Sequence, residues 1–405
     1  ITVKNGTFGI RISSSIALSN ISFKDVIVTS NSASGIVFDN GAGTCSVNNI
    51  TFTDCKVENN GNRGIYFAPN TSANNVSLIN TSCNNNKIMG FNCQGVIDGL
   101  TISGGTFNYN AGGSPEGTTE GPYYGFGISI ENCKNVTIND VTAQYNGTGG
   151  LLLEGGAGIV VKKDSQNVVI TAAQLTCNPI GLWLEPKWGA EDPTPEDVSI
   201  HFSTINGNTL YGVKNDIVTT EVNAINNWWG YNSGPCHPDD NPDGEGDSVS
   251  DDVNFDPWIG SELLDVGVLS GDNDSFENGE AGIGVEVGFE QGEGTVMVGV
   301  LEENPTEFES FEGSYFDVFI PEEQSEDIKQ VVIKLYYKGG SAKEAYWYNG
   351  TTWVPCSNQR IVEDEVVVER VSYAGYVEVT INNDTTPSLS DLTGTVLGLA
   401  DEIYK

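Results

Sequence analysis

The sequence predicts an all-β chain: a solenoid of stacked parallel strands over residues 1–235 and an antiparallel β-sandwich over residues 265–405. Three observations predict it. One motif, clearest in Asn20–Asn31 (N-I-S-F-K-D-V-I-V-T-S-N), returns at Asn49, Asn75, Gly99, Asn135, Asn167 and Asp197, at intervals of 24 to 36 residues. Recurrence of one supersecondary unit at such a period marks a solenoid. Within each unit, short runs alternate apolar and polar residues between Asn and Gly, and no window sustains a helical period. Past residue 259 the character changes, and short alternating strands between turn signals take over, as in a sandwich.

Each position of the repeat has a physical reason. The motif opens on Asn, which tolerates the left-handed conformation a sharp bend requires. Apolar residues follow at the next and third positions (Ile21 and Phe23, Ile50 and Phe52, Val76 and Leu78), where period-2 alternation turns them inward. Eight positions after the opening residue stand Val28, Val57, Cys83, Phe107, Ala143, Leu175 and Ile205, and three further on an Asn always returns: Asn31, Asn60, Asn86, Asn110, Asn146, Asn178, Asn208. Its amide can donate to one coil and accept from another. A Gly then opens the next short strand: Gly35, Gly64, Gly90, Gly127, Gly158, Gly181, Gly212. This pattern resembles the right-handed parallel β-helix of the pectate-lyase-like superfamily, and the resemblance covers residues 1–235. It implies three-sided coils whose equivalent residues line up along the axis. Asn5 and Gly9 fill recurrent positions, so the chain opens inside a coil. The reading is a secreted chain that either has a processed N-terminus or continues before Ile1, and in both cases its first coil presents open strand edges.

Two insertions, Ala111–Phe126 and Gly147–Ala157, fall at one bend of neighbouring coils. Tyr123, Tyr124 and Leu151–Leu153 then form an apolar protrusion that either binds a ligand or packs on itself. A third insertion, Glu185–Glu196, carries Trp188 near Trp183, which either stacks on a sugar or packs. The outward hydroxyls Ser22, Thr51, Ser77, Thr101 and Thr137 form a ladder of the kind common on parallel sheets. The series N-W-W-G at Asn226–Gly230, then Gly234-Pro235, Asn241-Pro242, Gly244 and Pro257-Trp258, resembles the close of β-helix domains in secreted prokaryotic surface proteins. Two Trp suit a lid over the last apolar coil. Residues 236–264 are read as a closing and linker segment with an acidic loop.

The remaining residues resemble the C-terminal immunoglobulin-like sandwich modules of prokaryotic surface proteins, through W-Y-N-G-T-T-W-V-P-C-S and T-T-P-S-L-S-D-L-T-G-T. Candidate strands are 282–290, 295–301, 315–320, 330–338, 345–348, 352–355, 365–371, 376–381 and 396–400, with Asn349-Gly350 as a hairpin turn.

Charge and cysteine usage narrow the function. The chain carries 18 Lys and Arg against 55 Asp and Glu, for a net charge of −37, and −30 of it lies in residues 235–405. Such a surface repels nucleic acid and anionic membrane. No apolar run is long enough to span a bilayer. The eight cysteines form no C-x-x-C, which argues against zinc. Cys55 and Cys83 fall inward in adjacent coils and are read either as a pair or as buried thiols. N-x-S/T sequons point to an extracellular or cell-surface setting. Those at Asn70, Asn80, Asn273, Asn349 and Asn383 owe nothing to the repeat and are the favoured N-glycan sites; the repeat itself generates those at Asn20, Asn49, Asn75 and Asn135.

The resemblance also implies chemistry to look for. Glycosidases of this fold use clustered Asp with G-H-G and R-x-K elements, and neither element occurs here. Lyases need acids on consecutive coils with a basic proton acceptor. Asp25 and Asp54 share one outward position, with Lys24 and Lys56 beside them, but the column continues Asn80, Gly104, Asp140, Ala172. No catalytic set and no required cofactor is assigned. Asp239, Asn241 and Asp243 match the first half of a calcium loop (D-x-N-x-D-G), with Ser250 where the closing Glu belongs. The preferred reading is a non-enzymatic, glycosylated surface protein that self-associates through its β-helix ends into a filament or layer. The alternative is a polysaccharide-binding adhesin, lyase or hydrolase.

Overall fold

The structure, a computed structural model, describes all residues except 42, 112–124, 148–154, 186–193, 272–273, 290–293, 306–314, 322–326, 340–342 and 401–405. The insertion residues Tyr123, Tyr124, Leu151–Leu153 and Trp188 and the sequon at Asn273 lie outside the described residues. The chain forms two compact units, Ile1–Trp258 and Ile259–Lys405.

The first unit is a parallel β-helix, right-handed as parallel crossovers are. Eight strands, from Ile10–Ile12 to Tyr211–Asn215, stack into one parallel sheet, and nine, from Leu18–Lys24 to Val253–Asn254, into a second. The third wall is built of three-residue strands such as Ile27–Thr29, Lys56–Glu58 and Thr142–Gln144. Register runs unbroken along the apolar column Ile21, Ile50, Val76, Leu100, Val136, Val168, Val198. Stacking puts like on like inside: the rings of Phe38 and Phe67 lie 4.5 Å apart and nearly parallel, as do those of Phe23 and Phe52 at 4.8 Å. The opening residues of the motif are left-handed throughout, with φ between 52 and 57° at Asn20, Asn49, Asn75, Asn135, Asn167 and Asp197.

The recurrent Asn form a buried file. Each Nδ2 donates to the Oδ1 of the next coil's Asn: Asn31 to Asn60 at 2.9 Å, Asn60 to Asn86 at 3.0 Å, Asn110 to Asn146 at 3.0 Å, Asn146 to Asn178 at 3.1 Å. The backbone N–H of each donates to the same oxygen. At the far end Asn208 donates to the carboxylate of Asp247 at 2.7 Å. At the near end the partner of Asn31 is Gly6, whose N–H reaches Oδ1 at 3.0 Å. Asn5 therefore stands one position away from the file, exposed and left-handed at φ 61°, and not within it as its spacing suggests.

The segment after residue 235 belongs to the first unit as far as Trp258. Gly246–Ser248 pairs with Pro235–Cys236, Val253–Asn254 joins the nine-stranded sheet, and Val249 and Phe255 pack with the wholly buried Trp229. Residues 236–258 thus make the last coil, and Trp229 closes the core beneath it. Turn residues concealed this strand content.

In the second unit six strands, in the order Leu263–Leu269, Val296–Leu301, Tyr315–Phe319, Thr393–Ala400, Glu344–Tyr348, Trp353–Pro355, face a sheet of five. All pairs are antiparallel, and residues of both sheets, among them Val298, Phe316, Ile333 and Val379, share one core. Leu263–Leu269, Ser275–Asn278 and Gln359–Val362 are strands that the alternation missed. The expected strand 365–371 is instead a hairpin of Val366–Val368 and Val371–Tyr373, because Glu369 and Arg370 turn at φ 46 and 79°. Among the described residues no helix is long and apolar enough to cross a membrane.

Candidate functional site

The outward face of the eight-stranded sheet gathers the chemistry. Counting from the Gly that opens each strand, the second residue onward forms the column Tyr66, Asn92, Ser129, Val160, Trp183, Lys214, each in register with the next. The fourth onward gives Gln94, Glu131, Lys162, Glu185, Asp216. Strand alternation sends both columns outward while Phe91, Ile128, Ile159 and Leu182 fill the core.

Charges along this face meet in opposite pairs. Lys163 reaches Glu131 at 2.6 Å, Lys162 pairs with Glu185, and Lys214 pairs with Asp216 at 2.7 Å. The carboxylates of Glu131 and Glu185 are almost wholly buried. Buried ions persist only when paired or hydrogen-bonded, so this face is an organised polar network, not a solvated flank. Aromatic rings interleave with it. The Nε1 of Trp183 donates to Asp216 at 2.8 Å, and the Lys214 ammonium lies 5.2 Å from the Trp183 ring. Lys162 lies 4.8 Å from the ring of Phe126, and the Tyr66 hydroxyl donates to Gln94 at 2.6 Å. Beside the network runs a second apolar patch, Met89, Phe126, Ala157, Ile180 and Val160.

Among the described residues two members lack partners. Both amide atoms of Asn92 and the hydroxyl of Ser129 are buried without a hydrogen bond, and the two residues face each other in adjacent strands. An unpaired buried polar group costs about 1–3 kcal/mol. Spacing from the recurrent Gly would have found both columns; attention to the Asn repeat hid them.

Of the residues singled out by sequence, Trp183 belongs to this network and the others lie elsewhere. Asp25 and Asp54 are exposed bend residues with φ of 52 and 53°. Trp183 is buried in the network and packs edge-on to Phe126. Asp239 and Asp243 are exposed, while the Asn241 amide donates to the carbonyls of Ser233 and Pro235 and so organises the turn. Among the described residues no three acids, His or Cys converge as a metal site would require. All eight cysteines are free thiols, and burial pushes that of Cys83 well above its usual pKa. Of the sequons, Asn70 engages its amide with the carbonyls of Gly41 and Gly43, whereas Asn80, Asn349 and Asn383 are exposed. Asn49, Asn75 and Asn135 engage theirs with Asn20, Asn49 and Asp98.

No protein family and no curated protein matches the sequence. Among solved structures, the chain is similar to the A-module of the Azotobacter vinelandii mannuronan C-5 epimerase AlgE4 (15% identity, TM-score 0.35, 52% of this chain and 53% of that one). It is similar also to the Dettilon tailspike protein (11%, TM-score 0.26, 99% and 87%) and to the enzymatically active domain of bacteriophage CBA120 tailspike protein 2 (12%, TM-score 0.33, 90% and 51%). The chain thus spans about half of the epimerase module. Its own strand order and register make it a right-handed parallel β-helix joined in sequence to an antiparallel β-sandwich.

Proposed function

We propose that this is an extracellular polysaccharide-binding protein, and that the outward face of its eight-stranded sheet receives the sugar chain. One observation carries the reading: Tyr66, Gln94, Lys162, Lys214 and Asp216 stand half-exposed on a network of paired charges and aromatic rings. A solenoid serving only as a rod needs neither buried ion pairs nor unpaired amides on its flank. Polysaccharide binding is therefore preferred here to a purely structural, filament-forming role. The half-exposed rim of Tyr66, Gln94, Lys162, Lys214 and Asp216 supplies both signs of charge, suited to a chain with hydroxyls and some acidic groups.

A polysaccharide panel tests this, with binding read by calorimetry and turnover by unsaturated products and reducing ends. Binding without turnover is the expected result, and Lys214→Gln and Gln94→Ala should each weaken it about three- to tenfold. Product formation would make the protein an enzyme instead. Failure of every polysaccharide to bind would return the reading to a structural subunit.

A further inference from the structure

The sandwich unit holds a second recess, remote in sequence from the solenoid face. A cavity of about 280 Å³ opens between the turn Glu280–Ile283 and the end of the strand Ile328–Tyr337. Its walls are tyrosine and aliphatic. Tyr336 and Tyr373 line it with ring centroids 5.4 Å apart, Tyr337 lies alongside, and Ile283, Leu335 and Leu399 supply the apolar surface. The Tyr373 ring is held by its hydroxyl, which donates to the Gly279 carbonyl at 2.6 Å. Gly282 keeps the mouth open: it is left-handed at φ 71°, and a Cβ there would meet the Tyr373 hydroxyl at 3.0 Å.

The recess holds lysines in a unit poor in them, while Glu277, Glu363 and Glu378 act on its tyrosines from outside the lining. Residues 259–405 contain seven Lys and Arg against 29 Asp and Glu. Two of those seven, Lys338 and Lys343, line the cavity, with Glu280 as the one acid among the lining residues. Lys343 is buried in the wall, and Lys338 is exposed with its ammonium 5.6 Å from the Tyr373 ring. Among the described residues no carboxylate pairs with Lys338. Long-range repulsion by this unit disfavours an extended polyanion. A single small anion with an apolar face is a different case: ring C–H groups rest on tyrosine, and a carboxylate meets the Lys338 ammonium at short range.

We propose that this recess binds the terminal residue of an acidic saccharide, a uronate or other carboxylate-bearing sugar. A phosphate or a bare carboxylate would make no use of three tyrosines and three aliphatic walls, and a neutral sugar none of the Lys338 ammonium. The cavity lies just under the roughly 300–1,000 Å³ of typical ligand sites, so it takes one sugar ring and not a chain.

The test uses the full chain, isotope-labelled, titrated with glucuronate and galacturonate and separately with glucose and galactose. Expected are amide shifts confined to Glu280–Ile283 and Tyr336–Gly339 with the acidic sugars alone. Dissociation constants should be of the order of 1 mM, as for a small ligand with few polar contacts. Lys338→Glu should weaken binding by about tenfold or more, and Lys338→Arg should retain it. Lys338 is exposed, so neither change threatens the fold. The proposal is overturned by equal shifts with the neutral sugars, by absence of shifts with both acids, or by binding indifferent to Lys338→Glu. Shifts confined to residues of the eight-stranded sheet would also overturn it while leaving the solenoid reading intact.

Discussion

At the scale of single residues, the buried Asn file behaves as a series of two-sided joints. Asn110 accepts from the backbone and side chain of Asn86 and donates to Asn146 and to the Cys83 carbonyl. Asn110→Leu therefore leaves donors and acceptors unpaired in two neighbours and should cost about 2–4 kcal/mol in urea unfolding. Asn31→Leu, at the start of the file with part-buried partners, should cost less. Two buried acids give the chain an inverted pH profile. Asp317 is wholly buried with its Oδ1 unpaired, and burial raises its pKa from 3.8 to about 7; burial likewise raises Asp247 to about 6. A carboxyl raised above its unfolded value holds its proton more tightly when folded. The stability these two groups contribute should then be greatest near pH 4, fall as pH rises to about 7, and level off beyond. For Asp317 alone the loss is of order 4 kcal/mol. Asp317→Asn should flatten most of that slope in thermal unfolding followed from pH 4 to 8. At the solenoid face, Ser129→Ala removes an unpaired hydroxyl and should hold or raise the melting temperature while lowering polysaccharide affinity.

At the scale of elements, the exposed opening Asn sort the sequons. N-glycosylation consumes the side-chain amide nitrogen, and those of Asn49, Asn75 and Asn135 are hydrogen-bonded between coils, as that of Asn70 is to two carbonyls. At Asn349 the side-chain oxygen accepts from Thr351 and Thr352, which leaves the nitrogen outward at the hairpin tip. Peptide mapping by mass spectrometry of material from a glycosylating host should find glycan at Asn349 and Asn383 and none at Asn49 or Asn75. Much of this architecture is legible in sequence because a stacked coil repeats its chemistry: an inward Val or an Asn bend recurs at a countable spacing. The last coil is not legible, since Pro, Gly and Asp there build turns that disguise Val253–Asn254 as a loop. The candidate site was hidden for a related reason. Glu131, Lys162 and Glu185 look like ordinary surface charges until the register sets them side by side. The unpaired state of Asn92 and Ser129 depends on burial, which alternation alone does not report.

At the scale of the whole molecule, the division at Trp258 has a practical consequence. A chain ending at Trp258 keeps Val249, Phe255 and Trp258 over Trp229, whereas one ending at Pro235 strips that cover and leaves the indole ring bare. The longer piece should unfold cooperatively by circular dichroism and calorimetry, and the shorter should aggregate or melt at least about 10 °C lower. Residues 259–405 possess a core of their own and should fold as a separate piece.

Asp247 carries one further implication. Every Asn in the row both receives a hydrogen and passes one on, so the row has a direction, and some final member must receive without passing on. A carboxylate does that: it takes two hydrogens from Asn208 and has no amide to hand forward. The number of turns is thus fixed by chemical punctuation as well as by the bulk of Trp229. A duplicated turn spliced in before Asn208 should be read as more of the same sentence, while one spliced in after Asp247 would begin with nothing to grasp.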